Sequence, residues 1–255
     1  MKRTKLVYPA LFACFLMNAA TAQAQFKIGD VLKTVIGSKT TTGTGTTTGT
    51  PSTLEIASGI KQALEIGTSR GADLLSAKDG FMGNMAVKIL FPPEAQKVEK
   101  TLRTLGMGKL ADNVILSLNR AAEDAAKEAK PIFVSAIKQM TITDATNILL
   151  GNKDAATNYF KRVTTAQLME KFKPSINTSL AKVGATKYWG DAANQYNRLP
   201  MVKPVSTDLS DYVAQKAIDG MFIQVAQEEL KIRESLGSRS TPLLQKVFGY
   251  ADKNK

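Results

Sequence analysis

The sequence predicts an all-α fold: a single multi-helix domain of about nine helices, with at most one short two-stranded β pairing. Three observations carry that prediction. From Leu54 onward the apolar residues recur at helical rather than alternating spacing. Glycines and prolines fall mainly between the periodic segments, where they stop and start helices. No segment alternates apolar and polar residues for long enough to build a sheet.

Three stretches precede or make up that domain: residues 1–24, 25–53 and 54–250. The first reads as an export signal. Lys2, Arg3 and Lys5 form a basic start, an apolar run extends from Leu6 to about Met17, and Ala22-Gln23-Ala24 offers a small-x-small cleavage site after Ala24. The apolar run is too short to span a bilayer comfortably, so no transmembrane helix is expected in the mature chain. A rival route, lipoprotein processing before Cys14, is less favoured. Phe12 is bulky for that site and the chain stays apolar after the cysteine. The expected location is the periplasm or the envelope.

Residues 26–37 place Ile28, Val31, Leu32, Val35 and Ile36 on one side of a helix and Lys27, Asp30, Lys33 and Thr34 on the other. So short a helix needs a surface to lie on. Ser38 to Thr53 is a Thr/Gly-rich tract with no apolar side chain to bury, the composition of a flexible linker.

The elements of the domain follow in order. Thr53 caps a first helix with Leu54, Ile56, Ile60, Leu64, Leu74 and Leu75 at apolar positions; Gly59, Ala63, Gly67 and Gly71 repeat every fourth residue and form a smooth stripe for a close neighbour. Gly80 to Asn84 is a break, and Ala86 to Phe91 is extended or a short strand, stopped by Pro92-Pro93. Pro93 to Leu105 forms a second helix closed by Gly106. Lys109 to about Ala129 is the strongest helix, with Ala111, Val114, Ile115, Leu118, Ala122, Ala125 and Ala129 in one stripe. Leu116 lies nearly opposite, as in a central helix buried on two sides. Pro131 restarts the chain through Phe133 and Ile137, and Thr143 caps a short helix ending at Gly151.

Asp154 opens a helix bearing Tyr159 and Phe160, and Thr164 or Thr165 opens another through Leu168, Phe172 and Ile176, with Pro174 as a kink or split. Ala185 to Arg198 follows Gly184. Leu199 to Val205, with two prolines, is extended and could pair with Ala86 to Phe91. Ser206 or Asp208 caps a long helix to about Ser235, and Thr241-Pro242 starts the last one.

Composition closes many chemistries. The 255 residues contain no histidine and one cysteine, Cys14, inside the signal. A chain cut after Ala24 therefore has no Ser-His-Asp triad, Cys-His pair, imidazole-held zinc or disulfide. No cofactor and no metal site is expected. The net charge is +12, and removing Lys2, Arg3 and Lys5 leaves +9. In an exported protein this points away from nucleic acid and toward an anionic membrane surface or an envelope protein. A solvated basic surface is the simpler account, because Lys and Glu are interspersed, as in Glu94, Lys97 and Glu99.

Ser135-Ala-Ile-Lys138 and Ser179-Leu-Ala-Lys182 match Ser-x-x-Lys, yet no Lys-Thr-Gly follows and the sheet that such enzymes need is missing. Two polar clusters remain as candidate binding sites. Asp112, Asn119 and Glu123 share one flank of the strongest helix, with Arg120 on the next face. Thr143, Asp144, Asp154, Thr157, Tyr159 and Arg162 crowd two helix starts. Helix capping and interhelical ion pairing account for both clusters; the functional alternative is a polar pocket between helices that takes a small ligand.

Leu118-Asn-Arg-Ala-Ala-Glu123, Met140-Thr-Ile-Thr-Asp-Ala145, Ile148-Leu-Leu-Gly151, Asp154-Ala-Ala-Thr157 with Tyr159-Phe160, and Asp211-Tyr-Val followed by Ala217-Ile-Asp-Gly-Met-Phe222 together carry a resemblance. The stretch from about Leu54 to Phe248 resembles an uncharacterised bacterial family of exported all-helical proteins, domain of unknown function number forty-one ninety-seven. The resemblance implies an envelope location and a helical domain, and it supplies no activity, cofactor or catalytic residue. The favoured function is thus a non-enzymatic binding or scaffolding domain of the envelope. The alternatives are a carboxylate-based hydrolase of envelope polymers and a small-ligand or lipid carrier, the latter requiring a sizeable apolar cavity.

Overall fold

The computed structural model describes residues 49–182, 185–205 and 208–254. The signal segment with Ala24, the amphipathic stretch 26–37, most of the Thr/Gly tract, Gly184 and Ser206 lie outside the described residues.

The helices are α1 (Thr53–Ser76), α2 (Gln96–Thr104), α3 (Gly108–Ala125), α4 (Ala129–Gln139), α5 (Ile142–Leu150), α6 (Ala155–Lys182), α7 (Ala185–Asn197), α8 (Ser210–Glu234) and α9 (Pro242–Lys253). Three 3-10 turns, Pro93–Ala95, Ala126–Glu128 and Leu236–Ser238, lead into or out of them. The all-α prediction holds, and no strand occurs among the described residues. Ala86 to Phe91 does not pair with Leu199 to Val205. Amide side chains take up these backbones instead: Asn119 binds both backbone groups of Ile89, and Asn197 binds both of Val205.

Helix α3 is the hub, packing against α1, α2, α6, α7 and α8. Its predicted stripe is buried from Ala111 to Ala125, while Ala129, expected at its end, opens α4 after the 3-10 turn; Ser117 and Ala121 add a second buried side, and Leu116 itself stays 39% accessible. Around it α6 lies on α8, and α1 lies on α4, α5, α8 and α9. Phe133 meets Phe160 edge-to-face with ring centroids 5.2 Å apart, and Phe91 meets Trp189 at 5.7 Å.

The small-residue stripe of α1 serves two neighbours. A Cβ on Gly59 would stand 2.9 Å from Val247 Cγ2 of α9. Cβ atoms on Gly67 and Gly71 would stand 3.3 Å from Glu228 Cβ and 3.1 Å from Gln224 Cγ of α8. Leu54 and Leu74, expected in the apolar stripe, are exposed at 67% and 50%. The side that bears the glycines is the one that packs.

Helix ends correct the sequence reading at three points. Ser52, not Thr53, caps α1: its Oγ accepts the Glu55 N–H, while the Glu55 carboxylate accepts the Ser52 N–H. Thr141, not Thr143, caps α5 in the same reciprocal way with Asp144. In both cases the cap is the hydroxyl residue with an acid three positions on. No break occurs at Thr164 or Thr165. Their hydroxyls donate to the carbonyls of Phe160 and Lys161 one turn back, so α6 runs on through the exposed Pro174.

Two other boundaries match the sequence. Gly106 has φ +77°, and the N–H groups of Gly106 and Met107 return to the carbonyls of Arg103 and Leu102, a complete Schellman closure of α2. Thr241 caps α9 by accepting the Leu244 N–H.

Candidate functional site

The first predicted cluster is a clasp. Asn119 is fully buried on α3; its Oδ1 accepts the Ile89 N–H at 2.8 Å and its Nδ2 donates to the Ile89 carbonyl at 2.7 Å and the Ile115 carbonyl at 2.8 Å. One turn on, Glu123 Oε1 accepts the N–H groups of Phe81 and Met82 at 3.2 and 3.1 Å. Its Oε2 receives Arg120 Nη1 at 2.5 Å, and Arg120 Nη2 reaches Asp79 Oδ1 at 2.7 Å. Asp79 is a non-glycine residue at φ 67°. These groups fasten the segment between α1 and α2 onto the hub helix. The Glu123 hydrogen bond, with a smaller share from Asp79, holds the Arg120 guanidinium protonated beyond its usual range. Asp112 stands apart, paired with Arg103 at 2.8 Å.

The second predicted cluster divides. Thr157 belongs to a buried assembly that sequence reasoning missed. Glu229 of α8 accepts the Ala156 N–H, the Thr157 N–H and the Thr157 hydroxyl at 2.9, 2.9 and 2.8 Å. Arg233, one turn on, pairs with Glu229 at 2.8 Å and donates to the carbonyls of Leu149 and Ile148 at 3.2 and 2.7 Å. A signal was present: an i,i+4 Glu–Arg pair bracketing Leu230 and Ile232, on a helix apolar on more than one side. Asp154 is exposed, and its carboxylate accepts from the Asn158 side-chain amide at 2.9 Å. Thr143 is an exposed residue of the first turn of α5.

Asp144, Tyr159 and Arg162 do converge. With Ser135, Gln139 and Gln167 they line a polar hollow of about 270 Å³ between α4, α5 and α6. The Arg162 guanidinium lies 5.5 Å over the Tyr159 ring, and the Tyr159 hydroxyl donates to the Ala136 carbonyl at 3.3 Å. The Thr141 hydroxyl, then its N–H, holds the Asp144 carboxyl below the usual carboxylate range; Arg162 adds its charge. Burial raises the Tyr159 phenol, so it stays protonated. The hollow thus offers one carboxylate, one guanidinium and several amide or hydroxyl groups. Among its described lining residues it holds a single carboxylate, where glycoside hydrolysis typically uses a pair.

A second hollow, of about 340 Å³, is lined by Ser76, Lys78, Arg120, Glu123, Asp124, Lys127, Ser179 and Lys182. The Ser179 hydroxyl donates to Asp124 rather than to an amine. Asp124 is kept ionised first by Lys127 and then by Ser179. A serine that donates its proton to a carboxylate does not present it to an amine, as a Ser-Lys nucleophile must. The other such serine, Ser135, accepts from the Gln139 amide at 3.1 Å.

No group of three or more Asp, Glu, His or Cys side chains that could hold a metal ion occurs among the described residues. No helix among them is long and apolar enough to cross a membrane.

Residues 50–249 match a family model described as a protein of unknown function (DUF4197). No curated protein and no solved structure gives a match. The matched span takes in the whole helical domain from the Ser52 cap almost to the end of α9, and the chain belongs to the DUF4197 family.

Proposed function

We propose that this chain is an exported, non-enzymatic helical binding domain of the cell envelope, tethered through residues 26–37 and the Thr/Gly-rich tract. The observation that carries the non-enzymatic part is the commitment of its carboxylates. Glu123 and Glu229 bind backbone amides and arginines, Asp144 closes a capping box, and Asp154 bonds an amide side chain in the open. Close packing of Gly59, Gly67 and Gly71 against α9 and α8 speaks against an apolar carrier cavity along that face.

Export and tethering have separate tests. Mass spectrometry of the mature protein is expected to give Gln25 as the first residue. An intact N-terminus would sink export, and a lipidated Cys14 would replace the cleavage site. Deleting residues 25–48 spares the Ser52 cap and is expected to release the protein from membrane fractions. Unchanged fractionation would end the tether.

The polar hollow favours a second reading within the same class. Asp144 and Arg162 present opposite charges beside Gln139 and Gln167, an arrangement suited to a small zwitterion such as an amino acid. Isothermal titration with an amino-acid panel, wild type against Arg162→Gln, tests it; identical heats for the two proteins would remove it.

A further inference from the structure

A further hollow lies away from both predicted clusters, between α2 and the segment that follows α7. It is an open groove of about 720 Å³ lined by Pro93, Thr101, Tyr196, Val202, Pro204 and Val205, with Met201 and three lysines, Lys97, Lys100 and Lys203. No carboxylate occurs among the described side chains that line it. The three ammonium groups make no ion pair or hydrogen bond among the described residues. Glu99, between Lys97 and Lys100 in the chain, is taken by Arg103 through two hydrogen bonds of 3.0 and 2.9 Å. Among the described side chains the groove presents positive charge alone.

Its wall is apolar and its rim is held in place. Asn197 accepts the Val205 N–H at 3.0 Å and donates to the Val205 carbonyl at 3.3 Å, pinning the far end of the segment to α7. Pro200 and Pro204 restrict the backbone between. At its crest Met201 is 103% exposed with φ 63°, a conformation uncommon for any residue but glycine. A flexible apolar side chain thus projects into solvent beside three cations that have no partner among the described residues.

We infer that this groove docks on an anionic lipid surface: lipid phosphates on Lys97, Lys100 and Lys203, Met201 entering the interface, and the first acyl methylenes against Tyr196 and Val202. A free inorganic anion would use the lysines and leave the apolar wall wet. A neutral apolar partner would leave three ammonium groups unmatched. Headgroup and chain together use both halves of the groove. The inference rests on the envelope-binding reading, and it names the partner.

The test uses the full chain carrying Cys14→Ser and Met201→Cys, labelled at position 201 with an environment-sensitive fluorophore. Phosphatidylcholine vesicles with and without phosphatidylglycerol are the probes. Enhanced, blue-shifted emission is expected only with phosphatidylglycerol. Each of Lys97→Gln, Lys100→Gln and Lys203→Gln should weaken vesicle affinity roughly fivefold, from the attraction of one basic side chain near such a surface. Lys127→Gln with Lys182→Gln removes charge at the other hollow and should change the emission little. A label at Leu236→Cys, beyond the far end of the 25-residue α8, should stay silent. Circular dichroism melts confirm that each variant folds.

Equal weakening by the Lys127/Lys182 pair would overturn the groove in favour of diffuse charge. A silent probe at 201 while the chain still sediments with vesicles would overturn the groove and leave the envelope-binding reading intact. Failure to sediment at all would count against both. Saturable quenching by glycerol phosphate, with no response to vesicles, would replace the lipid surface by a soluble anion.

Discussion

Glu229 and Arg233, one turn apart on α8 with side chains only 4% exposed, close the facing ends of two other helices. The glutamate receives the first N–H groups of α6, where the helix dipole is positive. The arginine donates to the carbonyls of Ile148 and Leu149 in the last turn of α5, where the dipole is negative. Each charge is thus matched twice, by its partner and by a helix end. Removing one member strands the other. Glu229→Ala is expected to cost about 3–5 kcal/mol in urea unfolding. The Glu229→Leu/Arg233→Met pair is expected to cost less than the sum of its single changes, because neither charge is left alone. Strict additivity would show that the pair is not coupled.

Asn119 acts on the backbone much as a neighbouring strand would, through both polar groups of Ile89. Asn119→Leu keeps the side-chain size but leaves those groups without partners in a buried place. The expected loss is about 2–3 kcal/mol. Hydrogen exchange should locate it, with the Ile89 amide exchanging faster than the amides of the α3 core. A uniform change across the protein would mean that Asn119 does not act through this segment.

These two sites show how far the sequence could be read. The helices of α3, α8 and α9 are legible because their apolar stripes and Thr241-Pro242 are local signals. Asn119 and Glu123 are legible as polar residues flanking a buried stripe, but the segment they grip is not, since nothing local links Asn119 to Ile89 thirty residues earlier. Arg162, Asp144 and Tyr159 meet because α6 packs on both α4 and α5, whereas Thr157, only two residues from Tyr159, faces α8 instead. Thr164 and Thr165 mislead for a definite reason. A hydroxyl that can cap a helix can equally bond one turn back inside it.

With no histidine, stability should be nearly flat from about pH 5 to pH 9. Acid is different. Asp144 is held low by the Thr141 cap, Asp124 by Lys127 and Ser179, Glu55 by Lys246 and Ser52, and Asp208 by Ser210. A carboxyl with a lower folded than unfolded pKa binds fewer protons when folded. Its contribution is complete above the unfolded value, about 4, and fades as pH falls through the folded value. Tm against pH should therefore bend downward below about pH 4. Asp144→Asn should lower the neutral plateau while flattening the bend. A bend left unchanged by the substitution would exclude Asp144 from it.

The glycines of the helices divide into two kinds with opposite expected outcomes. Gly59 faces Val247 so closely that an added Cβ would sit 2.9 Å from Cγ2, whereas Gly190 and Gly249 have nothing within 4 Å of such an atom. Gly59→Ala should destabilise by about 1–3 kcal/mol through overpacking between α1 and α9. Gly190→Ala and Gly249→Ala should each stabilise by about 0.5–1 kcal/mol, because alanine restricts the unfolded chain and favours the helix. Val247→Ala makes room for the new methyl, so in the double variant it should recover part of the Gly59→Ala loss. If Gly59→Ala proves as stabilising as Gly249→Ala, the α1–α9 contact is looser than these distances require. If Val247→Ala instead adds its full cost to that of Gly59→Ala, the clash lies elsewhere.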